Sequence, residues 1–235
     1  MKKIIMIILA VVIGSIAFAD TKVYTGYVNY TDNYTRSDDY TKFNSTFYKD
    51  GFYARTTFDY DYVRSDTFLV LGNNYWNVTS KNKVKFDGFF IGTDEEIGRN
   101  VTYIDVTVGY ETNKDVKDWL NIGFSGAFGY VPLNIVGSFD ERNLTVAKLQ
   151  VNVKLWNIVT FYAGMESLQQ IGLPTFKVYS VKNTIGVKAE YFWNNFGVYG
   201  LVDYYCKHPE VFGNEPVSFC NSVKMNASVG VVLKI

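Results

Sequence analysis

The chain has 235 residues, and its 23 Lys+Arg against 23 Asp+Glu leave no net field to draw in nucleic acid. Nineteen Tyr, 18 Phe and 19 Gly with only 4 Pro suit pleated strands and leave little material for helices. One His and two Cys argue against a soft metal-ligand cluster and most hydrolytic machinery, so neither a cofactor nor a metal is expected.

Residues 1–19 read as a cleaved secretory signal. Lys2 and Lys3 give the positive start, Ile4 to Ile13 the apolar run, and Ala17-Phe18-Ala19 the small-residue cleavage site. A run this short does not comfortably span the ~30 Å of a bilayer core. Cleavage would leave Asp20 first, where no Cys stands to carry a lipid anchor. The rest, 20–235, is expected to be one domain.

From there the chain alternates apolar and polar residues, the period of strands that separate two environments. Phe52, Ala54, Thr56, Phe58, Tyr60 and Tyr62 oppose Tyr53, Arg55, Thr57, Asp59 and Asp61. Thr145, Ala147, Leu149, Val151, Val153 and Leu155 oppose Val146, Lys148, Gln150, Asn152 and Lys154. At the end, Val223, Met225, Ala227, Val229, Val231, Leu233 and Ile235 make a stripe too long for an ordinary soluble core strand.

The alternation predicts twelve strands, near 22–34, 40–49, 52–63, 67–78, 84–92, 101–111, 119–130, 144–156, 158–166, 182–192, 196–205 and 222–235, with 174–182 either strand or loop. The uncharged stretch Ile122 to Phe139 is rejected as a helix because Gly123, Gly126, Gly129, Pro132 and Gly137 break it. Tight joints are expected at Lys49-Asp50-Gly51, Arg64-Ser65-Asp66, Thr79 to Lys83, Trp156-Asn157 and Trp193-Asn194-Asn195. Longer ones are expected at Thr93 to Asn100, Thr112 to Asp118, Val131 to Asn143, Ser167 to Val181 and Cys206 to Asn221. Alternate joints belong to opposite ends, with Thr112 to Asp118 long among the tight ones and Arg64-Ser65-Asp66 short among the long ones. This puts Trp76, Trp119, Trp156 and Trp193 at one set of strand ends and Tyr30, Tyr60, Tyr62, Tyr130 and Tyr204 at the other, two aromatic girdles.

Signal, alternating strands and terminal strand together resemble the bacterial outer-membrane β-barrel class over the whole mature length. The terminal strand departs from that class in closing on Leu233-Lys234-Ile235 rather than on an aromatic residue. The resemblance implies an all-β, antiparallel transmembrane barrel of about 12 strands, with 10 or 8 as alternatives. It further implies a Gram-negative-type outer membrane, surrounding lipid, both termini periplasmic, and the barrel-assembly machinery as partner during biogenesis.

The inward face would carry Arg55, Lys85, Lys148, Lys154, Lys188 and Lys224 against Asp59, Asp61, Asp87, Asp105, Glu111, Glu166, Glu190 and Asp203. These are read either as a transverse field across a solute path or as ion pairs that fill the barrel. The inward small residues Asn121, Gly123, Ser125, Ala127 and Gly129 leave room for water, for the lysine side chains or for an inserted loop. His208, with Asp203 and Glu210 nearby, reads as loop polarity rather than a catalytic centre, and Asp94-Glu95-Glu96 as a solvated triplet. Cys206 and Cys220, the only cysteines, are expected to form a disulfide at the feet of the last outer loop. The leading expectation is a non-enzymatic, porin-like channel for small hydrophilic solutes. The alternative is a surface barrel acting through its outer loops as adhesin, antigen or structural membrane protein. The residues do not decide the oligomeric state.

Overall fold

The structure is a computed structural model that describes residues 21–38, 41–72, 75–98, 101–136, 139–141, 144–172, 175–211 and 222–235. The signal-like segment and Cys220 lie outside the described residues, and so do the side chains of Tyr30, Cys206, His208 and Lys224.

Twelve long strands form one closed antiparallel sheet. They are β1 (Thr21–Asp38), β2 (Thr41–Tyr60), β3 (Val63–Gly72), β4 (Tyr75–Phe86), β5 (Phe89–Gly98), β6 (Val101–Lys117), β7 (Leu120–Val136), β9 (Leu144–Leu155), β10 (Val159–Gly172), β11 (Thr175–Trp193), β12 (Phe196–Val211) and β13 (Ser222–Lys234). A three-residue strand, β8 (Phe139–Glu141), pairs only with the end of β7. Each long strand bonds to its chain neighbours, and β1 with β13 closes the ring, so no edge runs the length of the sheet.

The number of strands agrees with the alternation, but several bounds do not. Lys49-Asp50-Gly51 is not a joint: β2 continues through it, held by unbroken pairing with β1 from Thr21↔Phe58 to Asp38↔Thr41. Gly51 serves a close approach instead, since a Cβ there would collide with the Leu71 carbonyl oxygen. The expected strand 67–78 straddles the β3–β4 joint, and 84–92 straddles the turn at Asp87-Gly88. Arg64-Ser65-Asp66 lies in β3 and Thr79 to Lys83 in β4. Most of the expected long joints are strand. β5 runs to Gly98, β6 to Lys117, β7 to Val136, β10 and β11 take up most of Ser167 to Val181, and β12 runs to Val211.

Five tight joints share the end of the barrel that holds Thr21 and Ile235: 61–62, 87–88, 118–119, 156–158 and 194–195. Asp87, Gly88, Trp156, Asn157 and Asn194 all have positive φ there, the backbone that tight hairpins require. Each joint is stitched to the next strand. The Glu111 amide donates to the Gly88 carbonyl at 2.7 Å, Trp156 to Trp119 at 2.8 Å and Glu190 to Ile158 at 2.9 Å, and Ile235 donates to Thr21 at 2.9 Å. The opposite rim is uneven, because β3 ends at Gly72 opposite Gly51 while β2 continues up to Thr41. The β1–β2 hairpin therefore stands above the low wall formed by β3, β4 and β5.

The outward face is apolar. Phe52, Ile91, Val108, Phe128, Ile185 and Val229 are exposed, as lipid-facing residues are in an isolated barrel. At the terminal end Trp119 stacks on Trp156 (5.7 Å), Tyr191 meets Trp193 edge-on (5.0 Å) and Phe89 meets Tyr110 (5.2 Å). Trp76 belongs to the other end: Trp76, Leu71, Phe52 and Tyr27 are successive register partners. There Tyr27 donates to Asp50 at 2.7 Å, a polar limit to the apolar band. Tyr60 ends β2 and Tyr62 lies in the β2–β3 joint, so both belong to the terminal end. The shifted joints at 61–62 and 73–74 reverse the ends expected for these three aromatics.

Candidate functional site: the barrel lumen

The inward face follows from register. Tyr24 pairs with Arg55 and Val232, Arg55 with Phe68, and Lys188 with Thr160 and Leu201, so these side chains line one interior. Two apolar pads occupy it. Tyr24, Val28, Tyr53, Val70, Tyr199 and Val232 form one on the β1–β3 and β12–β13 wall; Val131, Leu144, Val146 and Leu168 form the other on β7, β9 and β10.

The aromatic side chains lie against the wall because glycines make room for them. A Cβ on Gly230 would meet the Tyr53 hydroxyl at 2.6 Å, and one on Gly109 would meet the Phe90 ring at 2.5 Å. Gly186 lies under the Tyr162 ring in the same way. Large side chains thus point inward without each projecting its full length toward the axis.

Between the pads runs an ionic lattice. Arg55 makes a two-pronged bond to Asp66 and donates to the Tyr199 hydroxyl at 3.1 Å, from β2 to β12. Arg64 holds Asp59 (2.7 Å) and Glu111 (3.3 Å); Lys85 also reaches Asp59 (2.9 Å) and Lys83 reaches Glu111 (3.1 Å). Glu190 gathers Lys188 (2.6 Å), Lys22 (3.1 Å) and the Tyr24 hydroxyl (2.7 Å). Asp203 accepts from Tyr162 at 3.1 Å and Asn226 at 3.4 Å. Lys148 crosses β7 to bond Asp94 (2.8 Å) and Asp105 (2.5 Å). Multiple partners are what a confined charge needs, since desolvation otherwise exceeds the Coulomb gain.

The remaining residues expected inside fall into three groups. Glu166 sits in register between Lys148 and Lys182, and Lys154 between Asn121 and Thr160. Lys224 shares a register row with Tyr205 and Asp32, its side chain lying outside the described residues. Asp61 and Asp87 are corrections: both lie in turns and are exposed at the rim, because the joints fall at 61–62 and 87–88 rather than beyond them. Asp94 and Glu96, expected in an outer loop, point inward from β5, where Glu96 accepts from Asn77 at 2.9 Å. Cys206 lies on β12 in register with Asn183, and its pairing with Cys220 falls outside the described residues.

The small inward stripe of β7 is a berth for neighbouring side chains. Lys148 passes over its register partner Ala127 to reach β6, and the amides of Asn113 and Asn152 converge where a Cβ of Gly123 would stand.

No protein-family model matches the chain, and no curated protein matches it in sequence. Solved structures do match in fold. An outer membrane channel from Pseudomonas putida F1 aligns over 92% of this chain and 96% of its own, with a TM-score of 0.53 at 9% identity. The NanC porin aligns over 88% and 100% (TM-score 0.49, 11% identity), and the KdgM porin over 89% and 99% (TM-score 0.45, 10% identity).

The chain has the outer-membrane β-barrel fold.

Near the terminal end of this outer-membrane barrel the lumen opens into a cavity of about 510 Å³, lined by charged groups from β1, β2, β3, β11 and β13. Lys22, Arg64, Asp66 and Lys234 line it; alternation along the last strand places Lys234 on its polar face, whereas the other three are not singled out as inward-facing by the sequence. The signal for the two on β3 was the uninterrupted alternation Arg64, Asp66, Phe68, Val70, hidden by reading Arg64-Ser65-Asp66 as a joint.

Proposed function

We propose that the protein is a small channel in a bacterial outer membrane that passes hydrophilic solutes by diffusion and catalyses no reaction. The observation that carries this reading is the lumen. Its twelve-strand wall carries charges of both signs, its aromatic side chains pack over glycines, and a charged cavity remains inside. The apolar outward face suits lipid, and residues 1–19 suit export, with the mature chain following them. Both termini are assigned to the periplasm and the uneven rim to the exterior. Biogenesis would then run through the barrel-assembly machinery.

The test is conductance. Purified protein in a planar bilayer of diphytanoyl phosphatidylcholine in 1 M KCl should give discrete, equal steps. A bilayer that stays sealed at all voltages with protein shown to be inserted overturns the reading.

A second reading rests on the raised β1–β2 hairpin, which exposes one side of β2 above Gly51. On that reading the barrel is a platform whose outer hairpins meet a surface partner. Deleting residues 33–46 should then leave assembly intact while abolishing attachment to the partner surface.

A further inference from the structure

The cavity at the terminal end is more than spare lumen. Five cations line it, Lys22, Arg55, Arg64, Lys188 and Lys234 among them from five strands, against two lining carboxylates, Asp59 and Asp66. Glu190, which holds Lys22 and Lys188, and Glu111, which holds Arg64 and Lys83, add two more, while Lys85 shares Asp59. Leaving Lys234 aside, the connected network sets six cations, Lys22, Arg55, Arg64, Lys83, Lys85 and Lys188, against four carboxylates, so positive charge is in excess.

The cation heads are also held in place. Arg55 lies 5.5 Å from the centre of the Tyr24 ring, Lys188 lies 5.9 Å from Tyr24 and 5.8 Å from Tyr199, and Lys22 lies 5.1 Å from Phe192. Rings beneath several ammonium and guanidinium groups fix their positions at one edge of the space. Such an arrangement loses little freedom when an anion enters, which is what makes a binding site rather than a diffuse field. The volume exceeds what one inorganic ion fills and suits a small organic molecule.

We infer that this cavity is a binding site for small multivalent organic anions, of the di- or tricarboxylate or sugar-phosphate type, set at the terminal mouth of the lumen. The inference rests on the channel reading for its physiological meaning, but the site itself does not require conduction. Carboxylate or phosphate oxygens would meet the cations, with Arg64 on the β3 side and Lys22 and Lys234 as register partners on the other.

The experiment is titration calorimetry of the full mature barrel in detergent at low salt, with citrate as probe and spermidine as the cationic counter-probe. Citrate should bind one site and spermidine should not. Lys22→Gln should weaken citrate at least five-fold. Lys154→Gln removes the same charge from a part of the lumen that does not line the cavity, and should change citrate affinity less than two-fold. No citrate binding by the wild type overturns the site, and so does an equal effect of the two variants, which would mean a general lumenal field. Far-ultraviolet circular dichroism identifies any variant that fails to fold, and Lys234→Gln then replaces Lys22→Gln with the same five-fold expectation. Conductance separates the two claims. A barrel that conducts but ignores citrate loses the site alone, and one that binds citrate in a sealed bilayer loses the channel alone.

Discussion

Asp94 and Asp105 face each other as cross-strand partners on β5 and β6, two carboxylates pointing into the same interior, with Lys148 from β9 bonded to both. Like charges directly opposite destabilise a strand pair, so the ammonium is what makes this pairing tolerable. Asp105 is fully buried and stands where the β6–β7 register shifts between Ile104 and Val106. A bulge at that point re-aims a side chain, here toward Tyr103, whose hydroxyl donates to it at 2.6 Å, and toward Lys148. One of its oxygens, Oδ1, has no hydrogen-bond partner among the described residues.

Lys148→Met should therefore destabilise the barrel by about 3–5 kcal/mol, the usual cost of removing one partner from a buried ionic group. Adding Asp105→Asn to it should recover part of that loss, because one stranded charge disappears. Reversible urea unfolding in lipid vesicles measures both, and a Lys148→Met barrel as stable as wild type would show that the lysine is not needed to hold the two acids.

Glycines that seat aromatic rings should be intolerant where other glycines are not. Gly230→Val would drive a side chain against the Thr25 carbonyl and the Tyr53 hydroxyl, whereas a Cβ on Gly200 meets nothing within 4 Å. The first should block assembly or cost more than about 2 kcal/mol as an overpacked site; Gly200→Ala should be neutral. The yield of folded barrel from matched refolding reactions is the readout.

The two faces of β9 give a cleaner test of burial in lipid. Val151→Lys places a charge on the outward face and should cost ~2–4 kcal/mol near the midplane, while Gln150→Lys on the inward face should be tolerated. Ser228 is not an equivalent inward position, since it is 7% exposed and its register neighbour is Leu201, beside the Tyr24–Tyr199 pad. A charge there should fail as well, for want of water rather than through contact with lipid.

Orientation is decided by surface labelling of intact cells. An epitope inserted between Arg142 and Asn143 should be accessible, and one between Asn194 and Asn195 should become so only after permeabilisation. The reverse pattern would turn the barrel over.

The covalent prediction concerns Cys206 and Cys220. An oxidising periplasm favours a bridge, and closing this loop would stabilise by roughly 3 kcal/mol in the chain-entropy model. Mass spectrometry after alkylation of denatured, unreduced protein should find neither thiol labelled; two labelled thiols would exclude the bridge.

The sequence by itself determined the barrel, since alternation is a local property: each side chain faces lipid or lumen according to its parity, and parity survives a misplaced turn. That is why Arg55, Asp59, Lys148, Lys188 and Glu190 could be named as a face before any pairing was known. Turn positions were different. Asp50-Gly51 and Asp87-Gly88 carry the same dipeptide, yet only the second is a turn, because continuous pairing with β1 holds the first extended. Tertiary structure alone decided which charges meet. Lys148 and Asp94 are 54 residues apart, and Lys22 and Glu190 are 168 apart. Successive pairing of β5, β6, β7 and β9 brings the first pair within bonding distance and closure of the sheet between β1 and β13 the second, and no local pattern encodes either contact.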